Sequence, residues 1–449
     1  MNTIVEIAKE LWAPAKQLSK EGLSYHHYLT EFSWLLLLKL APIYGVTTRY
    51  SWDILVSQKG IKQYHYYQEA LAKLQQVNDK HIATILMQAR TALTRPEQLT
   101  QMVTALTVVD KVPIDDLGEL YECLLEQYAR EESCHWLMPP RSLIDTMVIL
   151  TQPQPGELIA DPLAGTARFL VAADQYIQVV SEDLEADSSE SWEEQPWLLG
   201  MEQNLEQQRL ALMNCLLHNI QYVNRLPVQW GDSLVADNSS WPPADVIFSM
   251  LVFANEAIDN FSKPDASLAW LQQIFHSLKP GGRAAVIVPD WLCTAPGPAQ
   301  QVRRMLLETC VVHTVLRLPL GTFYPHKIAA QVLFFRRGQQ PLEPTEVTWF
   351  YDARSRFPTV VPYFRLTRNH LKPFELAYGD DPLGQLPRQE KPGYWRSFTR
   401  QMLATYQDQL AWDGLIAESA PVKRHLEEER WGILETAVAE LEALSMLLR

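Results

Sequence analysis

Acidic residues close three short apolar runs, and each is a group able to accept hydrogen bonds or face a cation. The first is Asp161, which opens Asp161-Pro162-Leu163-Ala164-Gly165-Thr166-Ala167-Arg168-Phe169-Leu170 directly after the run Glu157 to Ala160. A glycine turn between a strand and a helix lets backbone approach a ligand closely, and a strand-end carboxylate accepts from ammonium or hydroxyl groups. The second acid is Glu202 in Leu199-Gly200-Met201-Glu202, placed where an acid in a nucleotide-binding α/β sheet holds a ribose by both hydroxyls. The third is Asp232 in Gly231-Asp232-Ser233-Leu234. Any one of them alone reads as an ordinary turn or helix cap. Three in succession suit the ammonium, ribose and adenine amine of S-adenosylmethionine. The glycine run contains neither G-x-G-x-x-G nor G-x-x-x-x-G-K-[ST], which disfavours a dinucleotide or a nucleoside triphosphate.

The elements that must position these acids follow from periodicity. Short runs at Glu157 to Ala160, Leu198 to Met201, Val228 to Trp230, Asp245 to Phe248, Ala284 to Val288, Val311 to Leu316 and Gln331 to Phe335 alternate with helical stretches. That alternation predicts an α/β fold with a doubly wound sheet. From Val5 to about Arg130 the spacing is helical, as in Ile7, Leu11 and Trp12, then Leu29, Trp34, Leu37 and Leu38. Asp115 and Asp116 open a further helix with Leu117, Leu120, Tyr121 and Leu124 on one face. Ser181 to Gln195, dense in Asp, Glu and Ser, reads as a solvated loop. Beyond Asp352 the chain is rich in Pro, Tyr and Arg without clear period, then closes with a helix from about Val422 to Arg449 whose seam is Leu434, Val438, Leu441 and Leu448. The expected domains are residues 1–130, an α-helical N-terminal domain; 131–355, the α/β domain; and 356–449, a C-terminal region ending in an amphipathic helix.

At 449 residues the chain exceeds one hydrophobic core, and 47% hydrophobic with 20% charged residues marks a globular protein. Lys plus Arg number 39 against 53 Asp plus Glu, a net charge of −14, so any nucleic-acid contact is local or delegated. Cys123, Cys134, Cys215, Cys293 and Cys310 are odd in number and include no C-x-x-C pair, which points to a reducing compartment and gives no support to a metal site. Met1 to Leu11 lacks the apolar core of a secretory signal, and Phe32 to Val46 is broken by Lys39 and Pro42. A cytoplasmic location with no membrane contact is expected. Arg303-Arg304 and Arg336-Arg337 are the basic pairs that could meet phosphates.

The sequence resembles the class I S-adenosylmethionine-dependent methyltransferases, and within them the modification subunit of type I restriction-modification enzymes. Leu11 to Ala41 and Asp116-Leu117-Gly118-Glu119-Leu120-Tyr121-Glu122-Cys123-Leu124-Leu125 look like its helical N-terminal domain. His135-Trp136-Leu137-Met138-Pro139-Pro140-Arg141 resembles the segment that lines the cofactor site, and Leu199 to Ile220, with Glu202 and Asn214, looks like the ribose-binding strand and following helix. Leu278-Lys279-Pro280-Gly281-Gly282-Arg283 and Leu318-Pro319-Leu320-Gly321-Thr322-Phe323-Tyr324-Pro325 are similar to later strands and loops. The resemblance implies adenine-N6 methylation of DNA, with a Rossmann-like sheet. Trp136, Pro139, Asp161, Pro162, Gly165, Thr166, Phe169, Glu202, Asp232 and Ser233 would contact the cofactor. It also implies DNA recognition through a specificity subunit, and as further partners a second methyltransferase subunit and a restriction and translocation subunit.

One departure falls on the chemistry. The family carries Asn-Pro-Pro-Phe after the fourth strand, where this chain has Met250-Leu251-Val252-Phe253. In the family the flipped adenine stacks on the aromatic ring and donates its N6 protons to the Asn oxygen and a proline carbonyl. Phe253 keeps the ring, whereas Met250 supplies only a thioether, a weak acceptor. Intrinsic methylation is therefore expected to be weak or lost, and a catalytically silent paralogue serving assembly or regulation stands as the other reading. Ala167 replaces a usual second glycine, tolerable if its φ is negative, and Met138 replaces a usual threonine.

Overall fold

The computed structural model describes residues 3–45, 49–131, 136–185, 197–220, 225–235, 241–251, 264–323, 326, 328–356, 366–391 and 394–411. In chain order the helices are α1 (Ile4–Lys20), α2 (Tyr25–Leu40), α3 (Trp52–Ser57), α4 (Ile61–Leu74), α5 (Lys80–Ile85), α6 (Pro96–Ala105), α7 (Leu117–Ala129), α8 (Arg141–Thr151), α9 (Arg168–Glu185), α10 (Leu205–Leu217), α11 (Pro264–Ser277), α12 (Asp290–Thr294), α13 (Pro298–Thr309), α14 (Arg368–Tyr378) and α15 (Arg400–Thr405). The strands are β1 (Leu158–Asp161), β2 (Trp197–Glu202), β3 (Val228–Trp230), β4 (Ala244–Met250), β5 (Leu278–Pro289), β6 (Cys310–Arg317), β7 (Ala330–Arg337), β8 (Val347–Asp352) and β9 (Trp395–Thr399). They gather into two compact units: Met1–Met138 with Ala164–Val171 and Leu199–Asp232, and Pro139–Leu163 with Ala172–Leu198 and Ser233–Arg449.

The first unit is helical around a short parallel strand pair. α1 starts at Thr3 in a capping box, the Thr3 N–H donating to Glu6 at 2.9 Å and the Glu6 N–H to the Thr3 hydroxyl. Its three-and-four spacing buries Ile7, Leu11, Trp12 and Leu18. α2 is buried almost all round, so its polar groups need internal partners. Glu31 accepts from the Tyr67 hydroxyl at 2.7 Å and the Ala92 N–H at 2.6 Å, and burial pushes its carboxyl up to about 7. A short 3-10 turn over Ile114–Asp116 leads into α7, which buries Leu117, Leu120, Tyr121 and Leu124 as the spacing requires. β2 and β3 pair in parallel with Glu202 opposite Trp230.

The second unit holds seven strands in the order β1-β4-β5-β7-β6-β8-β9. β1, β4 and β5 are parallel, β7 runs antiparallel between β5 and β6, β8 is parallel to β6, and β9 closes the edge antiparallel to β8. β4 to β7 are largely buried, with apolar runs such as Val246–Phe248, Ala284–Val288 and Val332–Phe335, as in other α/β layers. Arg283 of β5 locks the approach to β1, donating to the Thr151 carbonyl at 2.6 Å and to Glu157 at 2.7 Å.

All seven predicted runs are strands. β8 and β9 were not foreseen, and neither was α14, so the stretch beyond Asp352 is more ordered than its composition implied. The acidic insert begins later than expected, since α9 continues to Glu185. The rest of the insert at 186–196 and the predicted C-terminal helix lie outside the described residues. Among the described residues no helix is long and apolar enough to cross a membrane, and no cluster of His, Cys, Asp and Glu could hold a metal.

Candidate methyl-donor site

In the first unit, the turn after β1 docks on β2 through its backbone. The Ala164 N–H donates to the Met201 carbonyl at 2.9 Å, and the Gly165 N–H donates to Glu202 Oε2 at 2.9 Å. The other Glu202 oxygen accepts the Asn204 N–H at 2.7 Å, where Asn204 also caps α10. Burial pushes the Glu202 carboxyl up to about 7 against the pull of the Asn204, Gly165 and Gln203 N–H groups. Each carboxylate oxygen still has a lone pair for a further donor. Beside Glu202, the exposed Trp230 donates its indole N–H to the Gln203 carbonyl at 2.9 Å, and half-exposed Asp232 follows directly.

Gly165 has φ +54°, a conformation costly for side-chain-bearing residues, and nothing lies within 4 Å of where a Cβ would sit. The turn is therefore open on that side, beside a strand-end acid. Ala167 has φ +63°, so its methyl group is carried in the left-handed region and the negative φ on which tolerance depended is not found. Thr166 is buried, its hydroxyl 3.9 Å from the Met138 sulfur, and Phe169 is buried in α9. Trp136 stands edge-on to His26 at 4.8 Å and Tyr128 at 5.6 Å, in an aromatic nest.

In the second unit, Asp161 is 1% exposed. Its Oδ1 accepts the Ser249 hydroxyl at 3.0 Å and the Leu163 N–H at 3.1 Å. Buried Ser233 donates to the Pro162 carbonyl at 3.1 Å, and Pro139 is buried ahead of α8. Ser249 was missed from sequence; the signal was a single hydroxyl in an otherwise apolar strand end. Half-buried Met250 ends β4, and fully buried Leu251 continues the ladder by donating its N–H to the Ile287 carbonyl at 2.9 Å. Phe253 lies outside the described residues.

The basic pairs are structural. Arg303, fully buried, donates to the carbonyls of Asp408, Leu292, Ala295 and Gln407, and Arg304 pairs with Asp408 at 3.0 Å. Arg336 pairs with Glu343 at 2.5 Å, and Arg337 donates to the His276 and Leu278 carbonyls. Arg303 is thus enclosed by carbonyl acceptors, whereas the Arg304 side chain, bonded through Nε, stays more than half exposed.

A model of the family described as N-6 DNA Methylase matches residues 112–410. The chain belongs to the N-6 DNA methylase family. It is 32% identical to the methylase subunit of the type I restriction enzyme StySPI from Salmonella potsdam, over 98% of this chain and 94% of that one. The same identity and coverage relate it to the EcoKI methylase subunit from Escherichia coli K12. The crystal structure of the EcoKI M protein superposes with a TM-score of 0.54 at 29% identity, covering 97% of this chain and 96% of that one. A methyltransferase subunit of a type I restriction-modification system from Streptococcus thermophilus shares the fold, with a TM-score of 0.68 at 17% identity over 91% of this chain and 98% of that one. N-6 DNA methylases draw their methyl group from S-adenosylmethionine. The open turn at Gly165 and the half-buried acceptor at Glu202 fit that group: vicinal hydroxyls need such an acceptor, and close backbone approach needs such a turn.

Proposed function

We propose that this chain is the modification subunit of a type I restriction-modification assembly, acting on adenine N6 in DNA that a specificity subunit selects, with intrinsic methyl transfer weak or lost. The Gly165 turn, Glu202 and Asp232 form the core that holds S-adenosylmethionine, and Asp161 leads the chain into that turn. When bound, the cofactor supplies an electrophilic methyl group on a sulfonium. Glu202 would accept hydrogen bonds from the ribose hydroxyls, and the Gly165 turn would let backbone approach the cofactor closely.

The observation that carries the donor half is the Glu202 carboxylate joined to the Gly165 N–H at a turn open on the Cβ side of Gly165. The weakness of the acceptor half follows from Met250, whose thioether cannot draw the N6 protons as an amide oxygen does. Burial of Leu251 favours the second reading, a silent paralogue that keeps the donor fold within an assembly. Net charge of −14 supports delegated DNA recognition, and a restriction and translocation subunit and a second methyltransferase subunit are the further partners this reading implies.

Transfer of labelled methyl groups to duplex DNA, by the chain assembled with a specificity subunit, separates these readings. Slow transfer abolished by Glu202→Ala supports the modification subunit. Donor binding without transfer supports the silent paralogue. Absence of donor binding at millimolar concentration removes both.

A further inference from the structure

Ala167 carries a side chain in a backbone region that favours glycine, and such a residue persists only where its surroundings over-determine it. Both of its flanks are held. On one side the Thr166 carbonyl accepts from Asn214 Nδ2 at 3.0 Å. On the other, Arg168 donates from Nε to Glu122 at 2.7 Å and from Nη2 to Glu126 at 3.3 Å. The two sides are joined, because the same Asn214 Nδ2 donates to Glu122 Oε1 at 2.7 Å. Thr166, Asn214, Glu122 and Arg168 thus close a ring of hydrogen bonds across Ala167. Glu122, Arg168 and Asn214 are 5%, 4% and 0% exposed, where such bonds are strongest.

The frame of this ring is also fixed. Gly118, one turn before Glu122 on α7, lets α10 come so close that a Cβ there would lie 2.6 Å from His218 Nε2. His218 Nδ1 in turn lies 2.9 Å from the Asn214 carbonyl. Glu122 and Asn214 are therefore held at a set separation by helix packing before either touches the turn.

We propose that Glu122, Arg168 and Asn214 are positioning residues for the methyl donor: their ring pins the strained Ala167 and so holds the Gly165 backbone and Glu202 in the arrangement that receives it. The ring does for alanine what glycine would do without help. Its path runs from α7 through Thr166 and Gly165 to the ribose-orienting acid. The proposal rests on the reading that this turn receives S-adenosylmethionine.

The test is titration calorimetry with S-adenosylmethionine on the full chain, comparing wild type and Glu122→Gln, each with and without Ala167→Gly. Glu122→Gln is expected to weaken binding about tenfold, and Ala167→Gly to return most of that loss, because glycine needs no pinning. A merely structural Glu122 would lose the same affinity in both backgrounds, and that result overturns the proposal. Hydrogen exchange should quicken in residues 164–170 of Glu122→Gln and not in the Ala167→Gly double variant. If Glu122→Gln does not fold, Arg168→Lys, which keeps the charge but gives up the planar fork, carries the same comparison. Wild-type binding left unchanged by both variants removes the ring alone, whereas a wild type that binds no donor removes the cofactor reading beneath it.

Discussion

On the proposed function the turn after β1 would hold the methyl donor and the end of β4 would face the acceptor, and the chemistry of the two regions differs sharply. At the turn, Gly165, Thr166 and Arg168 are engaged by Glu202, Asn214 and Glu122, all buried or nearly so. At the end of β4, polarity stops at Ser249, and Met250 and Leu251 bring a thioether and a buried aliphatic group. On that proposal, holding a donor and activating an acceptor would be separable in one chain: hydrogen bonds fix the first region, and apolar side chains fill the second.

The largest effect expected is on rate. With a specificity subunit present, wild type should methylate adenine about 10² to 10³ times more slowly than a relative with Asn at this position, the usual loss for one transition-state hydrogen bond. Met250→Asn with Leu251→Pro and Val252→Pro should recover part of it in single-turnover assays. Fast transfer by the unaltered chain would break the contrast.

Next in size is stability. Arg168→Met leaves buried carboxylates without their cation and should cost about 3 kcal/mol or more, whereas Met250→Asn at a half-buried strand end should cost about 1 kcal/mol. Urea midpoints for the two variants compare the regions directly, and equal shifts would erase the distinction.

A smaller effect is set by pH. Only ionised Glu202 accepts both ribose hydroxyls, and its carboxyl is held up to about 7, so donor affinity should fall about tenfold from pH 8 to pH 6. Glu202→Gln should bind weakly with a flat profile. The same upward shift acts oppositely on folding: the native state binds the extra proton, so this group's contribution to stability declines as pH rises from about 4.5 to about 7. The smallest change is Ala167→Gly, which should raise stability by about 0.5 kcal/mol, the relief of a left-handed alanine less the added freedom of the unfolded chain. A lowered urea midpoint would show that Ala167 is not strained.

What sequence conveyed follows the range of the interactions. β1 to β7 were legible because apolar runs bounded by turns are local signals. β8 and β9 were not, since Val347–Asp352 and Trp395–Thr399 mix polar and aromatic residues at a sheet edge, within Pro-rich surroundings. The places of Asp161 and Glu202 at strand ends, of Asp232 just after one and of Gly165 in the turn were legible, because an apolar run closing on an acid or a glycine is a local signal. The bond from Gly165 to Glu202 joins two of them. Arg303 and Arg168 were opaque because their charge is answered by groups far along the chain: Asp408 for one, Glu122 for the other. No local pattern distinguishes an arginine that awaits a phosphate from one already enclosed.

Enclosure of Arg303 also sets where the polypeptide cannot be cut without harm. Two of its four carbonyl acceptors belong to Gln407 and Asp408, and the Leu410 N–H ties the same stretch to the Cys293 carbonyl at 3.0 Å. A stop codon or protease cut before Gln407 strips a buried cation of half its acceptors and should yield insoluble product. One placed after Ala411 leaves all four acceptors of Arg303 in place.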